Sequence, residues 1–127
     1  MILLDPVLDT AYVRFEFEDD VLIATYKKGR RITLEVAKDI VRERLAFTEG
    51  RAVKVLLIDR GVSSFDKAAR DYLASPEGSN LITAAAILCE SSATAVIGNF
   101  FVKVNKPPIP VRLFTNRERA MGWLRIK

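Results

Sequence analysis

The chain has 127 residues, half of them hydrophobic, so it can bury one hydrophobic core but not two ordinary ones. Its 20 lysines and arginines exceed its 16 aspartates and glutamates by four, and these charges are scattered rather than collected in a block. Histidine is absent and cysteine occurs once, which excludes Ser-His and Cys-His nucleophile pairs, most zinc and iron sites, and an internal disulfide. We therefore expect a single domain over residues 1–127 that is not an enzyme and uses no cofactor and no metal.

The sequence also bears on where the protein works. Residues 1–6 have no basic region, and Asp5 and Pro6 interrupt their apolar run, so no leader is predicted. The longest apolar stretch, residues 81–89, is about half as long as a membrane-spanning helix. With its single free cysteine, the chain is predicted to be soluble and cytoplasmic.

The first half predicts a β-hairpin, a helix and a buried strand. Apolar and charged residues alternate over residues 13–18, Asp19 and Asp20 supply a turn, and residues 21–26 form the partner strand. Thr33 is a predicted N-cap ahead of a helix that ends near Gly50. The apolar stripe of this helix consists of Leu34, Ala37, Ile40, Val41 and Leu45. Residues 53–58 are almost all apolar, as in a central strand covered on both faces.

The second half alternates helices and strands. Asp66 caps a predicted short helix, and residues 84–89 form the next strand. A helix then opens at Ser91 or Ser92. Its predicted inward residues are Ala93, Val96, Ile97, Phe100, Phe101 and Val104. A strand follows over residues 111–114, and a capping box from Thr115 to Glu118 opens the last helix. The order ββαβαβαβα predicts an α/β sandwich with a mixed, mostly parallel sheet and an N-terminal hairpin.

Several sequence features of the second half point to a known fold. These are Asn99-Phe-Phe101 in a helix, Lys106-Pro-Pro-Ile-Pro110, the strand at 111–114, Glu118-Arg-Ala120, and Trp123-Leu124. With the element order, they resemble the STAS fold of bacterial anti-sigma-factor antagonists, and more closely small uncharacterised bacterial proteins with a STAS-like (SpoIIAA-like) fold. The likeness covers about residues 11–126. It implies a non-catalytic regulatory protein that acts through a protein partner.

The antagonist family switches by phosphorylation of a serine at a helix start, after a strand that ends in aspartate. In the comparable segment here, Asp59 and Asp66 match their counterparts. Ala68 occupies the position of the phosphorylated serine, and Lys67 and Ala69 also depart from the family pattern. The resemblance therefore does not carry the phosphorylation switch over to this chain.

Two places in the chain are candidate sites for a partner. The loop with Asp59, Ser63, Ser64 and Asp66 is a candidate docking or regulatory loop, because it follows a parallel strand and its serines precede a predicted helix. A simpler interpretation is that Ser64 or Asp66 caps the helix and Asp59 ends the strand. The second candidate is a partner or dimer surface, because two adjacent phenylalanines cannot both point inward. Its residues are Phe100, Phe101, Pro107 and Pro108.

Two further features have plain structural interpretations. Cys89 ends a predicted strand, and without histidine nearby it is expected to be a buried structural cysteine. The densest basic cluster, which follows Tyr26, is expected to be a solvated loop. It comprises Lys27, Lys28, Arg30 and Arg31.

The sequence thus leaves a ranked set of functions. An interaction module of STAS-like fold, acting through a protein partner or a second copy, is favoured. A domain that binds a small ligand or lipid is the alternative, and it predicts an enclosed apolar cavity with one or two polar groups. Nucleic-acid binding by the basic cluster is disfavoured, and it would weaken steeply with salt.

Overall fold

The protein is described by a computed structural model that covers residues 6–127. The strands are β1 (Val7–Asp9), β2 (Val13–Glu18), β3 (Val21–Tyr26), β4 (Arg31–Ile32), β5 (Val53–Asp59), β6 (Ser64–Phe65), β7 (Ile82–Cys89) and β8 (Val111–Phe114). The helices are α1 (Leu34–Phe47), α2 (Lys67–Ala74), α3 (Ser92–Phe100) and α4 (Arg117–Arg125), and a π-helical turn over Phe101–Asn105 extends α3. The first five residues of the predicted domain, including the apolar run before Pro6, lie outside the described part of the chain.

Six of the strands form one sheet, in the order β1-β2-β3-β5-β7-β8. β1, β2 and β3 are antiparallel neighbours, and β3, β5, β7 and β8 run parallel. Asp19 and Asp20 form the two-residue turn of the hairpin, with φ angles of 48° and 63°. Positive φ at both positions is what a tight hairpin turn requires. The hairpin and the mostly parallel sheet confirm the predicted α/β sandwich.

Helices cover both faces of this sheet. α4 covers one face, where its Ala120, Met121 and Leu124 pack in a buried cluster with Leu56 and Ile58 of β5. α1, α2 and α3 lie on the other face. A Cβ atom on Gly98 of α3 would be only 3.0 Å from the side chain of Leu113 in β8, so α3 sits close against the sheet. Within residues 6–127, no helix is both long and apolar enough to cross a membrane.

Local elements differ from the prediction in three ways. β1, β4 and β6 were not predicted, because segments of two or three residues are too short for a repeating pattern. β7 begins at Ile82, two residues earlier than expected. The predicted capping box at Thr115 is wrong, since Asn116 caps α4 and accepts a hydrogen bond from the N–H of Arg119 at 3.0 Å.

Candidate functional site

A cavity of about 110 Å³ lies between the sheet and the layer of α1, α2 and α3. Its walls are almost entirely apolar. They include Phe15, Val55, Ile87, Ile40, Leu73 and Phe101. At Ala24 and Ala85 the sheet presents only a methyl group to the cavity. These short side chains leave space that larger residues would fill. The cavity is an apolar space of the kind that the ligand-binding alternative predicted, but it is partly open instead of fully enclosed.

Arg44 of α1 is the unusual polar residue in this apolar surrounding. Its side chain is buried and lines the cavity, with 4% of the residue exposed. Its Nη2 donates a hydrogen bond of 3.3 Å to the carbonyl oxygen of Gly78, while Nη1 has no hydrogen-bond partner among residues 6–127. Burial lowers the pKa of Arg44, but an arginine in a protein keeps its charge. Arg44 is therefore a charged group with unused donors inside the core.

No carboxylate in residues 6–127 neutralises this charge through an ion pair. Removing an ion from water without a counter-ion costs several kcal/mol. Native proteins usually pair or hydrogen-bond such a group fully. Arg44 is thus incompletely satisfied by the described part of the chain.

Asp59, the acidic residue of the cavity, is well hydrogen-bonded, in contrast to Arg44. Its Oδ1 accepts hydrogen bonds of 2.9 Å from the N–H groups of both Gly61 and Val62, so the backbone already stabilises the carboxylate. Tyr26 also lines the cavity, and burial raises its pKa to about 12. The charge of Arg44 lowers that pKa and the charge of Asp59 raises it. Arg44 thus keeps an unused donor, whereas the Asp59 carboxylate, which only accepts hydrogen bonds, is held by the backbone.

The predicted docking loop is partly a strand. Ser64 lies in β6, so it does not cap a helix, and β6 separates Ser63 from the start of α2. The exposed Ser63 donates its hydroxyl and its N–H to the carbonyl oxygen of Arg30, at 3.0 and 2.9 Å. Asp66 occupies the N-cap position of α2, but its carboxylate accepts two hydrogen bonds of 3.1 Å from Arg31 instead of capping. Both serines precede α2 as predicted, but neither of them caps this helix.

Cys89 and the basic cluster have the contacts that their structural interpretations require. Cys89 is buried, and burial together with the charge of Asp59 raises the pKa of its thiol. In the basic cluster, Lys27 lies 2.6 Å from Asp9, and Arg31 pairs with Asp66. The chain itself therefore uses part of this positive charge.

The two adjacent phenylalanines face different ways. Phe100 is 45% exposed, whereas Phe101 is half-buried and lines the cavity. Pro107 also lines the cavity, and Pro108 is exposed. The structure therefore divides the predicted partner surface, leaving Phe100 and Pro108 outside.

Phe100 belongs to an exposed apolar row that we call the α3 stripe: Val96, Phe100 and Val104. Val96 and Val104 are 69% and 58% exposed, and Ala93 of α3 is exposed as well, so the predicted inward position of these three residues is wrong. The residues of the α3 stripe follow one another at four-residue spacing along α3 and its π-helical turn. The guanidinium of Arg70 lies 4.8 Å from the centre of the Phe100 ring, which gives the stripe a basic border.

Arg44 was missed by the sequence analysis, although its position carries a signal. It lies three residues after Val41, four after Ile40 and seven after Ala37, all of which are buried. This spacing puts residue 44 on the apolar stripe of α1. A charged residue at such a position is worth marking as a candidate site residue.

The element order and the order of strands are those of a SpoIIAA-like fold. A solved structure of an uncharacterised protein from the DUF3478 family with a SpoIIAA-like fold, from Shewanella loihica PV-4, matches with a TM-score of 0.63. The match covers 98% of each chain at 13% sequence identity and confirms the predicted resemblance in fold. The chain itself belongs to the family of DUF7793, a domain of unknown function whose model matches residues 15–126. No curated protein matches it.

Proposed function

We propose that the protein is a non-catalytic, cytoplasmic bacterial module that regulates a partner protein by binding it through the α3 stripe. The exposure of this stripe carries the proposal. Three large apolar side chains form a row on one helix, with between 45% and 69% of each residue in contact with water. Contiguous exposed apolar surface of this kind is typical of protein-binding sites.

The surroundings of the stripe favour a particular partner chemistry. The lining of a groove between α2 and the π-helical turn includes two cations, one carboxylate and two apolar side chains: Lys67, Arg70, Asp71, Phe100 and Val104. Lys103 is exposed on the same turn, so positive charge prevails around the groove. Lys67 pairs with Asp71 only at the surface, where its side chain is 81% exposed, so this ion pair is weak. An amphipathic partner segment with apolar and acidic side chains would match both the groove and its charge.

Binding by variants tests this proposal. Affinity capture from native extract identifies a candidate partner, whose affinity is then measured with purified proteins. Phe100→Ser is expected to weaken binding at least about tenfold, because a central aromatic contact is typically worth more than about 1.4 kcal/mol. Ile126→Ser is the matched control, since Ile126 is 81% exposed outside the stripe. The proposal is contradicted if both variants lose the same affinity, or if neither the wild type nor the variants bind any partner. If the protein instead forms a dimer that Phe100→Ser dissociates, the α3 stripe binds a second copy of this chain and not a different protein.

The cavity favours a second function, the binding of a small apolar ligand under the three-helix layer. Its apolar walls and few polar groups are what small-molecule sites have in common. Ala85→Leu would place a larger side chain in the cavity, and Ala93→Leu on the exposed side of α3 is its control. Native mass spectrometry should find a small molecule on the wild type and on Ala93→Leu but not on Ala85→Leu. A bare mass for all three proteins would contradict ligand binding.

A further inference from the structure

Arg44 and the cavity together indicate what kind of ligand would bind. We infer that the cavity binds one small monocarboxylic acid, with its carboxylate on Arg44 and its apolar body against the cavity walls. This inference rests on the second proposed function, the binding of a small apolar ligand.

The charge of the ligand follows from the condition of Arg44. One buried positive charge that no carboxylate of residues 6–127 pairs with calls for one negative charge. A carboxylate has two oxygens that match the planar arginine fork, so it can take the unused Nη1 donor. A phosphate monoester would bring a second negative charge into the core, and Arg70, the other arginine in the wall, is already held by the carbonyl oxygen of Phe65 and the ring of Phe100.

The neighbouring charged groups of the cavity, Asp59 and Arg70, are held by more contacts than Arg44 is. Asp59 uses Oδ1 on two backbone N–H groups. Arg70, the other arginine in the wall, has a buried Nε without a hydrogen-bond partner among residues 6–127. However, its Nη1 donates a hydrogen bond of 2.6 Å to the carbonyl oxygen of Phe65, and its guanidinium stacks on Phe100 at the outer side of α3. Arg44 is therefore the cavity group best placed to receive an anion.

The size of the cavity limits the apolar body of the ligand. A dry apolar cavity of about 150 Å³ accepts benzene. At about 110 Å³, the cavity here suits a body of a few carbon atoms rather than a long acyl chain. A short alkyl or small aromatic acid is therefore the expected class.

Binding of hexanoate and of 1-hexanol to the wild type tests the inference directly, since the two probes share a chain and differ in charge. Calorimetric titration should show hexanoate binding at least about tenfold tighter than hexanol, because hydrogen bonds to a charged group are worth this much. Arg44→Met should remove the preference and still bind hexanol. Arg42→Met is the control on the same helix, where the side chain is 72% exposed, and it should keep the preference.

Three other results would contradict the inference. Equal affinity of the wild type for both probes overturns the role of Arg44 and leaves the ligand-binding function standing, whereas no binding of either probe overturns both. A preference that survives in Arg44→Met also overturns the inference. If Arg44→Met does not fold, NMR of the wild type provides the answer, because the guanidinium signals of Arg44 should shift with hexanoate and not with hexanol.

Discussion

Nη2 of Arg44 donates its hydrogen bond to Gly78, a glycine that has no room for a side chain. A Cβ atom at position 78 would lie 2.0 Å from the carbonyl oxygen of Tyr72 and 2.8 Å from Cα of Leu73. The loop after α2 is thus pressed against the end of that helix, and its carbonyl group is presented to Arg44. The position of this loop and the hydrogen bonding of the buried cation depend on the same residue.

Gly78→Ala is expected to lower the free energy of unfolding by about 3 kcal/mol, because the clash is with backbone and forces the loop to move. Urea denaturation measures this change. Gly122→Ala is the control, since a Cβ atom at position 122 would have no other atom within 4 Å and the residue is inside α4. Alanine there should raise the free energy of unfolding by about 0.5–1 kcal/mol. Equal stability of the two variants would contradict the tight packing at Gly78.

Arg44→Met should make the ligand-free protein more stable, by about 1 kcal/mol. The substitution removes an incompletely satisfied buried charge and leaves a flexible apolar side chain in an apolar cavity. The hydrogen bond that is lost is long, at 3.3 Å. The measurement is urea denaturation beside Arg42→Met, which is expected to change stability by less than about 0.5 kcal/mol. A loss of stability in Arg44→Met larger than that in Arg42→Met would show that the charge stabilises the fold.

Tyr26 should make stability depend on pH in alkaline solution. Burial raises its pKa to about 12 in the folded protein, against the ordinary value of 10.0, so folding favours the neutral phenol. The stabilising contribution is fully present below pH 10 and is lost as the pH rises from 10 to 12. The loss amounts to roughly 2–3 kcal/mol. Tyr26→Phe cannot ionise at this position, so denaturation curves at pH 9 and about pH 11 should differ less for this variant than for the wild type. Equal alkaline losses in both proteins would contradict the shifted pKa.

Asp59 should matter for the loop that follows β5 rather than for chemistry. Asp59→Ala leaves the N–H groups of Gly61 and Val62 without their acceptor, and it should cost about 2–3 kcal/mol. Hydrogen exchange at these two amides should accelerate in the variant. Asp59→Asn keeps a side-chain oxygen and is expected to cost less than half as much. Unchanged exchange in Asp59→Ala would exclude the turn as the role of this residue.

The main fold was predictable because its elements are long and regular. β2 alternates buried and exposed residues, β5 is apolar throughout its centre, and Thr33 caps α1 by accepting a hydrogen bond from the N–H of Val36 at 3.3 Å. Each of these is a local pattern that the tertiary structure reinforces. The family resemblance of the second half then indicated which α/β sandwich this is, a SpoIIAA-like fold.

The details that could not be predicted depend on neighbours far away in sequence. Thr115 and Asn116 are both good capping residues, and the chain direction after β8 decides between them. Ser64 becomes a strand residue only because β4 lies beside it. Val96 was assigned to an inward stripe from its apolar character, whereas the packing of Gly98 against Leu113 turns α3 so that Val96 faces water. Arg44 is the opposite example: it is charged, but its position on the apolar stripe of α1 places it in the core.

The ends of the six-stranded sheet have a consequence for self-association. One edge strand, β1 (Val7–Asp9), has three residues. The other edge strand, β8 (Val111–Phe114), has four residues and follows Pro110. Short edge strands offer few free N–H and C=O groups in a row, and a proline beside a strand lacks an N–H group. A second chain that added its own strand there would therefore form few backbone hydrogen bonds. From the strands of residues 6–127, we therefore expect that two copies of the chain would join through helices and not through added strands.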